Sequence, residues 1–143
     1  MNNYSLENAA ERQHLTALVN RLTDDQLKRP LEAGWTVAGV LAHLAFWDQR
    51  ALLLLEKWKH AGVSPSANDV DIINDATRLL CVALAPRVAA QLAVSCAAAI
   101  DQAIESLEPG LLADVETKGT TVRLNRALHR SEHLKQIEQA LGL

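Results

Sequence analysis

The sequence predicts an all-helical protein with four principal helices and a short extra helix between the second and the third. The long segments consist mostly of Ala, Leu, Gln, Glu and Arg, which are strong helix formers. Only six glycines and four prolines occur in 143 residues, so few tight turns are available for a many-stranded sheet. The breaks between the helical segments are short, which is typical of a four-helix bundle.

Apolar stripes and a capping residue define the first two principal helices. The first begins after Ser5 and continues to about Leu22, because its apolar residues recur with the helical period. The polar segment 23–30 follows as a turn or as a single turn of helix. The second principal helix begins after Thr36, which is a favourable N-cap residue, and continues to Gly62.

The second half of the chain contains the short helix and two further principal helices. A Ser-Pro-Ser break is followed by the short helix, which we expect over 68–84. The third principal helix carries Pro86 in its first turn and continues to about Leu107, where a Pro-Gly pair ends it. The fourth begins near Thr120 or Thr121 and runs almost to the C-terminus. Because no linker or repeat divides the chain, we expect residues 1–143 to form one domain.

Composition excludes two classes of partner. The net charge is −3 and the basic residues are not clustered, which argues against a nucleic-acid-binding protein. No apolar run approaches the roughly 18 residues of a membrane-spanning helix, and the N-terminus lacks the features of a signal peptide.

Cys81 and Cys96 do not have the spacing of a disulfide framework, so we expect small buried thiols in a reducing cytoplasm.

Three histidines are the candidate ligands of a metal ion. His129 and His133 are four residues apart and therefore lie on one face of a helix. His43 lies on the apolar face of the second principal helix and is placed to complete the same site from across the bundle. Five histidines in this length give about 0.14 such i, i+4 pairs by chance, so the pair alone is a weak signal. A hydrogen-bonded core histidine is the usual alternative for His43.

The sequence segments around these histidines, and one segment between them, strengthen the interpretation of a metal site. They are WTV at 35–37 with VLAHL at 40–44, VDIIN at 70–74, and HRSEHLKQI at 129–137. In this order and spacing they resemble the DinB-like superfamily of bacterial four-helix bundles, which includes thiol-dependent S-transferases. The resemblance covers nearly the whole chain. Gly39 departs from the acidic or polar residue usual early in the second helix, which indicates that the packing has changed there.

The resemblance implies a metal centre and a thiol-dependent reaction. His43 corresponds to the family's first metal histidine, and His129 and His133 correspond to its C-terminal metal helix. The implied cofactor is a divalent ion, zinc or nickel. The implied partners are a low-molecular-weight thiol, which is bacillithiol, mycothiol or glutathione, and an electrophile, in stress or detoxification.

Three histidine ligands are consistent with thiol-transfer chemistry, but they leave the metal and the reaction open. Three neutral imidazoles leave a divalent ion with its full charge and an open position, which favours hydroxide or thiolate as the fourth ligand. Imidazole also suits iron and copper. A metal-hydroxide hydrolase is therefore a variant of the same site. The second hypothesis is a non-catalytic DinB-like bundle that binds a metal or a ligand or acts as an interaction module.

Three further residues are candidates for a substrate pocket. Arg50 lies about 20° round the helix from His43 and is placed to bind a carboxylate, although a surface arginine is the plainer interpretation. Trp47 is expected to wall the pocket together with Trp58, and ordinary core packing is the alternative. Asn74 is a candidate for orienting a substrate or water, with a helix-cap or surface role as the alternative.

The remaining expectations concern supporting groups and assembly. Each metal-binding histidine needs a hydrogen-bond partner for its other ring nitrogen, and Asp48, Glu132 and Asn74 are the candidates. His14 and His60 have no partner at ligand spacing and are expected at the surface. The apolar segment 52–55 offers a surface for a homodimer.

Overall fold

The computed structural model describes residues 3–143, and these residues form helices and loops without a strand. The helices are α1 (Asn3–Arg21), α2 (Asp24–Leu27), α3 (Val37–Ala61), α4 (Val70–Ala83), α5 (Pro86–Glu105), α6 (Pro109–Lys118) and α7 (Ala127–Leu141). A 3₁₀ turn at Glu32–Gly34 lies between α2 and α3. The all-helical prediction is confirmed. Within the described range, no helix is long and apolar enough to cross a membrane.

Local capping explains where the early helices begin. The side chain of Thr23 accepts a hydrogen bond from the backbone of Gln26, whose side chain in turn accepts one from the backbone of Thr23. This capping box produces the single turn of α2. The hydroxyl of Thr36 accepts a hydrogen bond of 2.9 Å from the backbone of Gly39 and caps α3, as the sequence predicts.

The prediction for the segment after α5 is wrong. Pro109 begins α6, because proline lacks only the N–H that the first turn of a helix leaves free. The last helix begins at Ala127 and not near Thr120 or Thr121. Its start depends on a distant residue, because the backbone N–H of Ala127 donates to the side-chain oxygen of Asn8 at 2.9 Å. Residues 119–126 therefore form an irregular loop.

Close helix packing explains two glycines. A Cβ atom on Gly39 would lie 2.9 Å from the side chain of Val82, so glycine lets α4 approach α3 closely. A Cβ atom on Gly119 would lie 2.8 Å from the ring of Trp58, which is buried in the core.

Small buried residues and a hydrogen bond position α5 against its neighbours. The helix α5 packs on α3 and α1 through small buried residues, which are Ala89, Ala90, Ala93 and Ala97. Arg87 at the start of α5 donates a hydrogen bond to the carbonyl of Leu22 at the end of α1. This contact between opposite ends shows that the two helices run antiparallel. The helix α4 packs against α3.

A buried ion network fixes α7 against its neighbours. Arg130 is 1% exposed and makes two hydrogen bonds, of 2.8 and 2.9 Å, to the carboxylate of Asp101 on α5. It also lies 3.4 Å from the carboxylate of Asp48 on α3. Arg126 pairs with Asp48 at 2.9 Å, and Arg12 pairs with Asp101 at 2.8 Å. The network thus links four of the helical segments that surround the core.

Replacing Arg130 by methionine is expected to lower the free energy of unfolding by about 3–5 kcal/mol. The reason is that Asp48 and Asp101 are almost fully buried and each loses one of its two arginine partners. Urea unfolding of the metal-free protein, followed by circular dichroism, measures this change.

The control is Arg78→Met, which breaks a solvent-exposed i, i+3 pair with Asp75. It is expected to change the unfolding free energy by less than about 1 kcal/mol. Equal effects of the two substitutions would contradict a special role for the buried network.

Candidate metal centre

The structure brings the three sequence-predicted histidines together. The Nε2 atoms of His43 and His129 are 3.0 Å apart. The ring of His133 lies 4.8 Å from each of the other two rings, measured between centroids. One ring nitrogen from each residue lies within 4.8 Å of the other two. The three nitrogens therefore lie close enough together to bind one ion.

This arrangement fits a divalent ion. Two lone pairs facing each other at 3.0 Å repel unless a proton or a cation lies between them. Metal–imidazole bonds are about 2.0–2.1 Å long, so one ion can contact two nitrogens at this separation. His43 comes from α3, whereas His129 and His133 lie one turn apart on α7, as expected.

Burial keeps two of the imidazoles neutral. It lowers the pKa of His43 to about 4, and the charge of His133 adds to the effect. Burial lowers the pKa of His129 to about 3, with further contributions from His133, His43 and the cations of Arg126 and Arg130. Only a neutral imidazole can bind a metal, so both residues are ready to do so at neutral pH.

Gln136 is the hydrogen-bond partner of one candidate ligand. Its side-chain oxygen lies 2.9 Å from Nδ1 of His133, which must therefore carry the proton and donate it. The Nε2 lone pair of His133 is left free for an ion. Sequence reasoning missed Gln136, although its i, i+3 spacing from His133 was a usable signal.

Within residues 3–143, none of the three expected supporting partners forms a hydrogen bond with a histidine of the centre. Asp48 pairs with Arg126 and Arg130 and not with a histidine, so that prediction is wrong. The side-chain oxygen of Asn74 accepts a hydrogen bond of 2.9 Å from Nε1 of Trp47. This contact holds the indole in place. Glu132 lines the cleft beside the histidines.

The histidines open into a cleft of about 650 Å³. Its volume is in the range of small-molecule sites. The three candidate pocket residues, Trp47, Arg50 and Asn74, line the cleft, and Arg50 lies over the Trp47 ring at 5.5 Å. Trp58 does not reach it, because this residue is 2% exposed and belongs to the core.

Sequence reasoning missed the loop that forms part of the cleft. The residues of this loop that line the cleft are Thr120, Thr121, Val122, Arg123, Asn125 and Arg126. The sequence prediction places them in the last helix, although three consecutive β-branched residues at 120–122 lower the helix propensity there. Asn68, in the segment before α4, also lines the cleft without an earlier signal.

The two other histidines lie outside the centre. His60 is exposed, as predicted. His14 also lies at the surface, as predicted, with its side chain 36% exposed, and it faces α7 from α1. Its two ring nitrogens lie 3.1 Å from the carboxylate of Glu11 and 2.8 Å from that of Glu138.

Comparison with known families agrees with the geometry. Residues 8–132 match the family model described as the mycothiol maleylpyruvate isomerase N-terminal domain. The chain belongs to this family. The domain is part of the DinB-like superfamily, so the predicted resemblance is confirmed. The matched region includes His43 and His129 and ends one residue before His133. Searches among curated proteins and solved structures give no match.

The metal-free form of the protein is expected to lose stability as the pH falls below about 6.5. In the unfolded chain histidine takes up a proton near pH 6.5, whereas folded His43 and His129 do so only near 4 and 3. Between these values the unfolded state binds more protons, so stability decreases with decreasing pH. Urea midpoints at pH 7.5 and 5.5 measure the effect.

A matched pair of variants isolates the source of this pH dependence. His129→Gln removes one of the two depressed groups and is expected to reduce the difference between the two midpoints. His60→Gln, at an exposed position, is expected to leave it unchanged. An unchanged difference in His129→Gln would show that the buried imidazoles do not cause it.

Proposed function

We propose that the protein is a metal-dependent transferase that uses a low-molecular-weight thiol. His43, His129 and His133 would hold one divalent ion, with zinc or nickel as the candidates. The convergence of three ring nitrogens within 4.8 Å of one another, at the edge of a cleft, is the observation that supports this function best. The family to which the chain belongs, whose name contains mycothiol, supports the choice of a thiol.

The protein's own residues prepare the site for an anionic nucleophile. A divalent ion held by three neutral imidazoles would supply a Lewis acid that lowers the pKa of a bound thiol. His43 and His129 stay neutral at pH 7, and Gln136 fixes the tautomer of His133. The open cleft leaves room for two small molecules to meet beside the histidines.

The protein's cysteines are poorly suited to serve as this nucleophile. Burial raises the pKa of Cys81, and burial with the charge of Asp48 raises that of Cys96. Neither residue lines the cleft. Cys81 is buried as expected, whereas Cys96 is only half-buried. The thiolate is therefore proposed to come from a separate molecule, with mycothiol, bacillithiol and glutathione as candidates.

The electrophile is proposed to bind beside the thiol, against Trp47 and Arg50. The hydrogen bond from Trp47 to Asn74 holds the indole in place, and the indole in turn supports the Arg50 guanidinium. These three residues would select the substrate. In this view Asn74 orients Trp47 and also lines the cleft itself.

We further propose the architecture and setting in which this chemistry occurs. The helices α1, α3, α5 and α7 would be the four members of a DinB-like bundle, in one domain that works in the cytoplasm. Homodimer formation stays a prediction, and a monomeric mass at micromolar concentration would contradict it. The segment 52–55 suits this role only in part, because Leu55 is buried and Leu53 is 59% exposed.

Elemental analysis of the untagged protein tests the metal centre. We expect about one zinc or nickel ion per chain, and its loss in a His129→Ala/His133→Ala variant that still folds. His60→Ala is the matched control, because it removes an exposed histidine outside the cleft. Metal retained by the double variant, or none bound by the wild type after reconstitution, would contradict the proposed site.

The cobalt-substituted protein tests the thiol. Addition of mycothiol, bacillithiol or glutathione is expected to change the visible absorption spectrum, because a thiolate enters the open position of the ion. A spectrum that no thiol changes would favour a structural or non-catalytic site. A spectrum that changes only with pH would favour a metal-hydroxide hydrolase.

A further inference from the structure

We propose that Asn8, in the first turns of α1, is a positioning residue for the histidine centre. Its side chain fixes the point at which α7 begins and thereby the direction of His129. This inference rests on the proposed function, because it assigns Asn8 to the metal centre. It also deepens that function, since Asn8 does not line the cleft and would act only through the helix that carries two of the ligands.

The side chain of Asn8 joins the loop 119–126 to the start of α7. Asn8 is 2% exposed. Its amide nitrogen donates a hydrogen bond of 2.9 Å to the carbonyl of Leu124, and its amide oxygen accepts one of 2.9 Å from the backbone N–H of Ala127. The amide group is planar and rigid, so it fixes the distance between these two backbone groups. A residue of α1 thus sets the shape of the turn that leads into α7.

The start of α7 lacks a cap of its own. Its N-cap residue, Arg126, makes no side-chain hydrogen bond to the helix, and its guanidinium pairs with Asp48 instead. The first N–H groups of a helix have no acceptor within the helix and need one from elsewhere. Asn8 supplies that acceptor to Ala127, so it performs the function of a capping side chain from a different helix.

A second acceptor of the same N–H is also held by α1. The side-chain oxygen of Asn125 accepts a hydrogen bond of 3.1 Å from Ala127, and its side-chain nitrogen donates to Glu7 at 2.7 Å. This second route is longer and is exposed at Glu7, whereas both hydrogen bonds of Asn8 are buried. A buried hydrogen bond is stronger because water does not compete for it, so we expect Asn8 to make the larger contribution.

Asn8 also contacts α7 at a second point. The guanidinium of Arg130 donates a hydrogen bond of 3.2 Å to the backbone carbonyl of Asn8. Asn8 therefore holds α7 at Ala127 and at Arg130, and His129 lies between these two positions. Because each residue turns the helix by about 100°, a small rotation at its start would move His129 away from the nitrogen of His43 that lies 3.0 Å from it. The geometry of the centre thus depends on a residue of α1.

The same contact directs the loop 119–126 toward the cleft. Leu124 is buried, whereas its neighbours Arg123 and Asn125 line the cleft. The hydrogen bond from Asn8 holds the carbonyl of Leu124 on the core side of the loop. Asn8 therefore supports one wall of the cleft as well as the start of the metal-binding helix.

NMR spectroscopy of the metal-free protein tests the positioning directly. In the wild type we expect a nuclear Overhauser effect between the rings of His43 and His129, whose centroids are 5.0 Å apart. Asn8→Ala is expected to weaken this effect. It is also expected to speed amide hydrogen exchange at Ala127 by about tenfold, because this N–H loses its shorter hydrogen bond.

Two conservative variants refine the NMR test. Asn8→Asp keeps the acceptor but not the donor, so we expect it to retain the protection of the Ala127 amide. Asn8→Ser, whose side chain is too short to reach both backbone groups, is expected to show the changes of Asn8→Ala to a smaller extent. It takes the place of Asn8→Ala if that variant does not fold.

Zinc affinity, measured on the folded protein by competition with a chromogenic chelator, tests the link to the metal centre. Asn8→Ala is expected to raise the zinc dissociation constant by about tenfold, because metal ligands must be placed within about 0.5 Å. Glu7→Ala is the matched control, since it removes an exposed contact from the same helix to the same loop. It is expected to change the constant by less than about threefold.

A second control separates positioning from stability. Leu27→Ala removes a fully buried side chain on α2, outside the cleft. It is expected to lower the urea midpoint and to leave the zinc dissociation constant unchanged. If Leu27→Ala weakened zinc binding as much as Asn8→Ala does, the role of Asn8 would be merely structural and the proposal would be overturned. Equal effects of Glu7→Ala and Asn8→Ala would overturn it as well.

The outcomes distinguish this proposal from the proposed function. Equal zinc affinity of Asn8→Ala and the wild type, with an unchanged Overhauser effect, would overturn the role of Asn8 and leave the metal centre intact. A wild type that binds no zinc would contradict the metal centre. The changes in the Overhauser effect and in amide exchange would then still support Asn8 as the residue that positions His129.

Discussion

The sharing of one buried arginine between two buried carboxylates is the constraint on which the site depends. Arg130 makes a two-point contact with Asp101 and a longer contact with Asp48, and it also bonds the backbone of Asn8 at 3.2 Å. These contacts join α7 to α5, α3 and α1. Successive residues of a helix point about 100° apart, so fixing Arg130 in the core also fixes the direction of His129. The network thereby sets the rotation of the helix that carries two of the three histidines.

Burial in the core and the cations of the arginine network together keep the imidazole of His129 neutral. Burial is the larger cause of the low pKa of His129, and the cations of Arg126 and Arg130 add to it. These cations also oppose the approach of a metal ion, which is a cost to affinity. They favour, however, any anion that completes the ion's coordination or enters the cleft. The neighbourhood therefore supports a bound ion together with an anionic partner better than an ion alone.

The histidine centre was predictable from the sequence because its determinants are local. The i, i+4 pair at His129 and His133 and the capped helix that carries His43 both follow from helical periodicity. The loop 119–126 was not predictable, because the start of α7 depends on a hydrogen bond that the backbone of Ala127 donates to the side chain of Asn8, far away in the sequence. For the same reason the partners of Asp48 were assigned incorrectly, since spacing along one helix does not reveal an arginine on another.

Apolar side chains of similar volume would fill the space of Arg130 and its carboxylates, and such replacements are often neutral or even stabilising. Apolar packing, however, tolerates small rotations of a helix, because contacts between methyl groups have little directional preference. Two parallel hydrogen bonds to a carboxylate do not tolerate such rotations, since each bond requires a defined distance and angle. A metal centre needs its ligands placed within about 0.5 Å. We therefore interpret the buried charges as the means by which this fold fixes the orientation of α7, at some cost in stability.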